Sequence, residues 1–133
     1  MKPPKRSRVL RLRLHVHLGD EHSLGPGKVQ LLETVRELGS ITAAARSMGM
    51  AYRHAWDLID DLERCFRRPV VETASGGRAG GGARLTLFGA EVIRRFRAME
   101  RAANAGMAKE LRALEAELRP ARRPIRRPRR PSG

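Results

Sequence analysis

Tyr52, Arg53 and His54 stand together at the start of a segment whose apolar residues recur at helical spacing, with Asp57 one turn beyond Arg53. An outward-facing guanidinium at a helix start presents a planar fork of donors that matches the O6 and N7 acceptors of guanine. Tyr52 and His54 add a hydroxyl and an imidazole, either of which can meet a phosphate or a base edge. Asp57 is placed to orient the Arg53 guanidinium or to accept from cytosine. A second group of polar residues suits the phosphate backbone. Ser40 and Thr42 open the preceding helix, and Arg78 and Arg84 lie in and just after a glycine-rich loop. Such a loop lets backbone amides approach phosphate, and its arginines can enter a minor groove.

Other chemistries are poorly served. No Ser/His/Asp set, carboxylate pair or dinucleotide fingerprint is evident, and no Gly-Lys-Ser/Thr follows the glycine loop, so the chain is not read as an enzyme and no cofactor is assigned. His15 and His17 share one strand face with His22 nearby, but no Cys or carboxylate set completes a closed site, and no metal site is assigned. Cys65 is read as a core residue. As the single cysteine it allows no internal disulfide, which agrees with a reducing cytoplasm.

The elements that must position these residues can be read in order. Residues 1–8 form a basic arm. Leu10, Leu12, Leu14, Val16 and Leu18 alternate with Arg11, Arg13, His15 and His17, which predicts a half-buried strand over 9–18, ended by Gly19-Asp20. Leu31, Leu32, Val35 and Leu38 predict an amphipathic helix over 28–38, with Pro26 near its start and Gly39 closing it. Ser40 is the expected N-cap of a second helix whose Ile41, Ala44, Ala45 and Met48 face inward. Gly49 supplies a tight turn. In the third helix Ala55, Leu58, Ile59, Leu62, Cys65 and Phe66 form the core face, while Arg53, Asp57, Asp60 and Arg64 lie opposite. Trp56 is expected at the core edge. Asp57, Asp60, Asp61 and Glu63 would repel phosphate, so this helix is expected to meet DNA by its first turn only.

Residues 70–73 and 84–87 are two short strand candidates around ASGGRAGGGA, a hairpin with a long tip. The leading strand is expected to join the same small sheet. From Phe88 to Leu118 the chain turns helical, capped by Thr86. Val92, Phe96, Met99 and Ala103, then Leu111 and Leu114, follow coiled-coil spacing and form a candidate dimerisation stripe, with a kink or break expected near Asn104 and Gly106. The fold class is mainly α with a small β-sheet: a winged helix-turn-helix over 9–87, a long linker or dimerisation helix over 88–118, and an Arg/Pro-rich tail over 119–133.

Charge is distributed unevenly across this plan. The 133 residues carry a formal net charge of +14; with four positive charges in the N-terminal arm and seven in the tail, the body between them carries only +3. Polyanion attraction therefore resides mostly in the tails. No run approaches the roughly 20 apolar residues of a membrane span, and neither a membrane location nor a signal peptide is expected.

GSITAAARSMGMAYRHAWDLIDDL followed by VVETASGGRAGGGARLTLFG resembles the N-terminal DNA-binding domain of ModE-type molybdate-responsive transcriptional regulators, and more widely the LysR-like winged-helix group. The Ala55-Trp56 pair and the glycine-rich wing are its most specific parts, and the likeness runs from about Leu10 to Phe96. It implies a dimer that reads a palindromic operator in double-stranded DNA, commonly at genes for molybdate uptake and molybdoenzymes. Family members that sense molybdate carry oxyanion-binding β-domains after the linker helix, where this chain has a basic tail. No small-molecule effector is therefore expected to bind this chain. Members often have a Ser where Ala51 stands. The expected function is a homodimeric, sequence-specific transcriptional regulator in the cytoplasm. Two alternatives are a nucleoid-type or RNA-binding architectural protein driven by the basic tails, and an adaptor that partners a sensor-bearing regulator.

Overall fold

The computed structural model describes residues 9–74 and 82–120. The basic arm, the wing tip with Arg78, and residues 121–133 of the tail lie outside the described residues. The elements in order are β1 (Val16–Leu18), β2 (His22–Leu24), α1 (Pro26–Leu38), α2 (Ile41–Ser47), α3 (Tyr52–Cys65), β3 (Val71–Thr73), β4 (Ala83–Leu85) and α4 (Leu87–Glu115). This is the winged helix-turn-helix with a long following helix that the sequence predicts. The chain divides into a compact unit, Arg13–Ala103, and a second made of the flanking segments Met1–Leu12 and Asn104–Gly133. In the second unit, the amide of Leu10 donates to Glu115 at 3.0 Å.

Local chemistry explains the helix ends. Pro26 occupies the first turn of α1, where its missing N–H costs nothing, and Gly39 closes the helix at φ 67°, donating its amide to Val35 at 2.8 Å. Ser40 caps α2, its Oγ accepting from the Ala43 amide at 3.1 Å. Gly49, also at φ 67°, makes the turn into α3. Thr86 caps α4 as expected: its Oγ1 accepts from the Gly89 amide at 2.9 Å and donates to the Pro69 carbonyl at 2.7 Å.

Three readings are corrected. The leading strand forms a ladder only over Val16–Leu18, although alternating exposure runs back to Val9. Its partner is β2, reached through a tight turn at Gly19 (φ 73°), with Val16 opposite Leu24 and Leu18 opposite His22. It does not join the wing. β3 and β4 form a separate antiparallel pair, with Glu72 opposite Arg84. The wing pair also bonds outside itself: the Ala83 amide is taken by the Gly39 carbonyl at 2.9 Å. Finally, α4 runs unbroken through Asn104 and Gly106, which removes the alternative of two helices and leaves the single long one. A single glycine costs a helix only about 1 kcal/mol, too little to break so long an element.

Within the Arg13–Ala103 unit the core is built from Leu24, Val29, Leu31, Leu32, Val35, Ile41, Ala44, Ala45, Ala55, Ile59, Leu62, Val70, Val92, Ile93 and Phe96. Ala44 and Ala45 are buried on α2, where small side chains let α1 and α3 approach. Val92 and Phe96 correct the dimerisation stripe: Phe96 is fully buried and Val92 nearly so, both spent on the chain's own core. Arg97 ties α4 to α1 through Glu33 and also pairs with Glu100 at 2.6 Å. These carboxylates hold the Arg97 guanidinium above its ordinary value.

Gly89 lies against the backbone of residue 70. A Cβ there would stand 2.2 Å from the Val70 carbonyl oxygen. Gly89→Ala should therefore cost about 1–3 kcal/mol, the usual range for forced overpacking. Urea unfolding should show a lower midpoint with an unchanged slope; an unchanged midpoint would contradict the close approach.

Candidate nucleic-acid interface

The first turn of α3 projects its side chains into solvent. Tyr52 is 52% exposed, and Arg53, His54 and Asp57 are all exposed. Ala55 and Ile59 on the opposite face are buried, which fixes the helix rotation and leaves Arg53 facing outward. Trp56 is half-buried, packs against the core and meets the Tyr52 ring edge-on at 6.3 Å between centroids. The pair braces Tyr52 from behind. Nothing in the described residues pairs with Arg53 by an ion pair or hydrogen bond, so its donors face solvent.

Two flanks meet this turn. On one side a cleft is lined by Ile41, Thr42, Tyr52, Trp56, Thr73 and Ala83, joining the start of α2 to the base of the wing. Thr42 is exposed on that side. The Ser40 oxygen accepts from Ala43 as the cap, so its hydroxyl proton remains the group free to donate. On the other side Arg13 and His15 line a cleft with Lys28, Met50 and His54. Arg13 and His15 are exposed, and Arg13 donates to His15 at 3.4 Å. Neither was singled out from sequence as a polyanion contact. The available signal was the basic face of the alternating segment that contains them.

The wing is only partly described. Arg78 lies outside the described residues. Arg84 is exposed and bonds its cross-strand neighbour Glu72 at 3.2 Å. A phosphate would have to compete with that carboxylate or share the guanidinium with it. Ala74 donates to the Gly82 carbonyl at 2.8 Å, closing the base of the loop.

The acids of α3 have particular partners. Asp60 pairs with Arg64 at 3.1 Å. Glu63 accepts from the amides of Val70 and Val71 at 3.2 and 3.3 Å, anchoring the start of β3. Asp61 bonds both His22 and Lys28, and Lys28 also donates to the Ser23 carbonyl at 2.7 Å. Burial pushes the Asp61 carboxyl up, but the hydrogen bonds from Lys28 and His22 outweigh it and leave it below the ordinary carboxylate value. Of the four acids read as a phosphate-repelling set, Asp61 and Glu63 are thus structural. Asp57, nearest the exposed turn, remains on the outer face.

Along α4, Met99 is exposed and Ala103 half-buried in the compact unit. In the second unit Met107 and Leu114 are exposed and Leu111 is half-buried. An apolar stripe therefore persists on this helix after Val92 and Phe96 are removed from it. Among the described residues, no helix is long and apolar enough to cross a membrane.

Residues 27–90 match the family described as bacterial regulatory helix-turn-helix protein, lysR family. The chain is 42% identical over 95 residues to the molybdenum-pterin-binding protein MopB of Rhodobacter capsulatus, covering 71% of this chain and 34% of that protein. It is 37% identical over 78 residues to the molybdenum transport protein ModE of Azotobacter vinelandii, covering 59% of this chain and 29% of the relative. It is also 37% identical over 71 residues to the DNA-binding transcriptional dual regulator ModE of Escherichia coli K12, covering 53% of this chain and 27% of that one. The chain thus spans about a third or less of the length of these curated relatives.

Ala51 holds the N-cap position of α3 with extended backbone (φ −65°, ψ 143°) and offers no side-chain acceptor. The first amides of α3 are left without a side-chain cap. Ala51→Ser should add about 0.5–2 kcal/mol of stability, read as a higher thermal midpoint. A lower midpoint would show that the serine does not reach those amides.

Proposed function

We propose, from the premise that this chain carries a helix-turn-helix domain of the bacterial LysR regulatory family, that it is a sequence-specific DNA-binding transcriptional regulator acting as a homodimer in the cytoplasm. The observation that carries the reading is the outward-facing first turn of α3, where Tyr52, Arg53, His54 and Asp57 stand exposed above a buried face. This turn enters the major groove, and Arg53 reads guanine through its paired donors. Ser40, Thr42, Arg78 and Arg84 hold the phosphate backbone from the flank and the wing. Helix-turn-helix regulators of this kind are not an enzyme class, and no catalytic role is assigned.

Met99, Ala103, Leu111 and Leu114 form the apolar stripe through which α4 meets a second copy. Two recognition turns then address half-sites about 34 Å apart. The names of the relatives MopB and ModE support a connection to molybdenum transport or molybdenum-dependent genes. This chain's own part in that system is to bind the operator. The rival reading, an architectural protein held by its basic tails, predicts equal affinity for unrelated duplexes.

Selection of bound sequences from a random duplex pool should enrich a palindrome. Arg53→Ala should cost about 1–3 kcal/mol on that site and much less on random DNA. Equal losses on both would remove Arg53 from base reading. Removing residues 119–133 should weaken binding to every sequence and flatten the dependence of affinity on salt. An unchanged salt slope would show that the tail arginines touch no phosphate.

A further inference from the structure

We propose that His22, Asp61 and Cys65 form a binding site for a divalent transition-metal ion such as zinc. The three come from separate places in the sequence. His22 opens β2, and Asp61 and Cys65 lie four residues apart on one face of α3. All three are half-buried, and a ring nitrogen, a carboxylate oxygen and the thiol sulfur lie within 4.8 Å of one another. Around a tetrahedral zinc, with bonds of about 2.0–2.3 Å, donor atoms stand roughly 3.3–3.8 Å apart. To reach that spacing His22 Nδ1 and Asp61 Oδ1, now in direct hydrogen-bond contact, must move apart to admit the ion. Imidazole, carboxylate and thiolate are the donor types that zinc and cobalt accept, and three protein ligands leave a fourth position for water.

Lys28 is the obvious competitor, because its ammonium already bonds Asp61. It reaches one carboxylate oxygen, Oδ2, while His22 faces the other, Oδ1. A metal ion can take the place between His22 and Oδ1 with Lys28 still holding Oδ2. A ligating carboxylate ordinarily has an outer partner of this kind. Ser23 supplies a further anchor for Lys28 through its carbonyl. The ion would fasten the β1–β2 hairpin to α3, the helix whose first turn faces outward. Metal loading would therefore stabilise the domain by binding its folded form.

The full chain should be titrated with cobalt(II), followed by absorption. Cys65 is the chain's single cysteine, so sulfur-to-cobalt charge-transfer absorption reports this site alone. The expected result is that band, saturating at one cobalt per chain, bleached by zinc, with a higher thermal midpoint for the loaded protein. His22→Ala should weaken cobalt binding about tenfold or more, and Cys65→Ser should abolish the band, with helicity checked by circular dichroism. Absence of the band in the parent chain would overturn the site, whatever the variants do. So would one cobalt per two chains, or unchanged affinity in a folded His22→Ala protein.

Discussion

The junction at Gly39 and Ser40 governs the geometry of the DNA-facing end. Gly39 adopts a left-handed backbone conformation and closes α1 with its amide. Its carbonyl accepts from Ala83, so the same residue anchors the first residue of β4. Ser40 then caps α2. Three elements leave from two residues: the end of α1, the start of α2 and the base of the wing. Few side chains tolerate φ near +67°, so glycine is the natural occupant here. Thr42 and the wing base are thereby brought together by backbone, while the first turn of α3 is set by the Gly49 turn and by burial of Ala55 and Ile59.

Opposite ends of α3 are used differently. Among the described residues nothing pairs with Arg53 in the N-terminal turn, whereas the C-terminal half is committed to the fold. Asp61 reaches β2 and α1 through His22 and Lys28, and Glu63 holds the start of β3 through two backbone amides. A helix that must present its first turn rigidly needs its far end fixed, and carboxylates paired with half-buried cations and amides supply this. The negative charge that would repel phosphate is thereby neutralised or directed inward. Only Asp57 and the Asp60–Arg64 pair remain on the outer surface.

α4 serves two purposes in succession. Its first turns complete the core through Val92, Ile93 and Phe96, and they start at a close approach between Gly89 and the Val70 carbonyl. Later turns keep apolar side chains at Met99, Met107 and Leu114 without burying them. Heptad-like spacing joins buried Val92 and Phe96 to Met99 and Ala103, so the pattern alone does not distinguish residues that face the chain's own core from residues left outside it.

The sequence by itself determined the order and kind of the elements other than β2, because caps, glycine turns and apolar periodicity are local. Pro26, Gly39, Ser40, Gly49 and Thr86 each act within a few residues of themselves and could be read directly. The exposed set Tyr52, Arg53, His54 and Asp57 was legible for the same reason: a helical layout fixes which residues oppose Ala55 and Ile59. Tertiary structure alone decided what depends on distant partners. It paired β1 with β2 rather than with the wing, placed Val92 and Phe96 inside, and set Arg13 and His15 beside His54. It also gathered His22, Lys28, Asp61 and Cys65 at one point, although sequence proximity had grouped His22 with His15 and His17. A short strand has no sequence mark for its partner, and an ionisable side chain has none for the charge it will meet across the fold. Those choices are made when the core packs, by which backbone groups and which charges burial leaves to be satisfied.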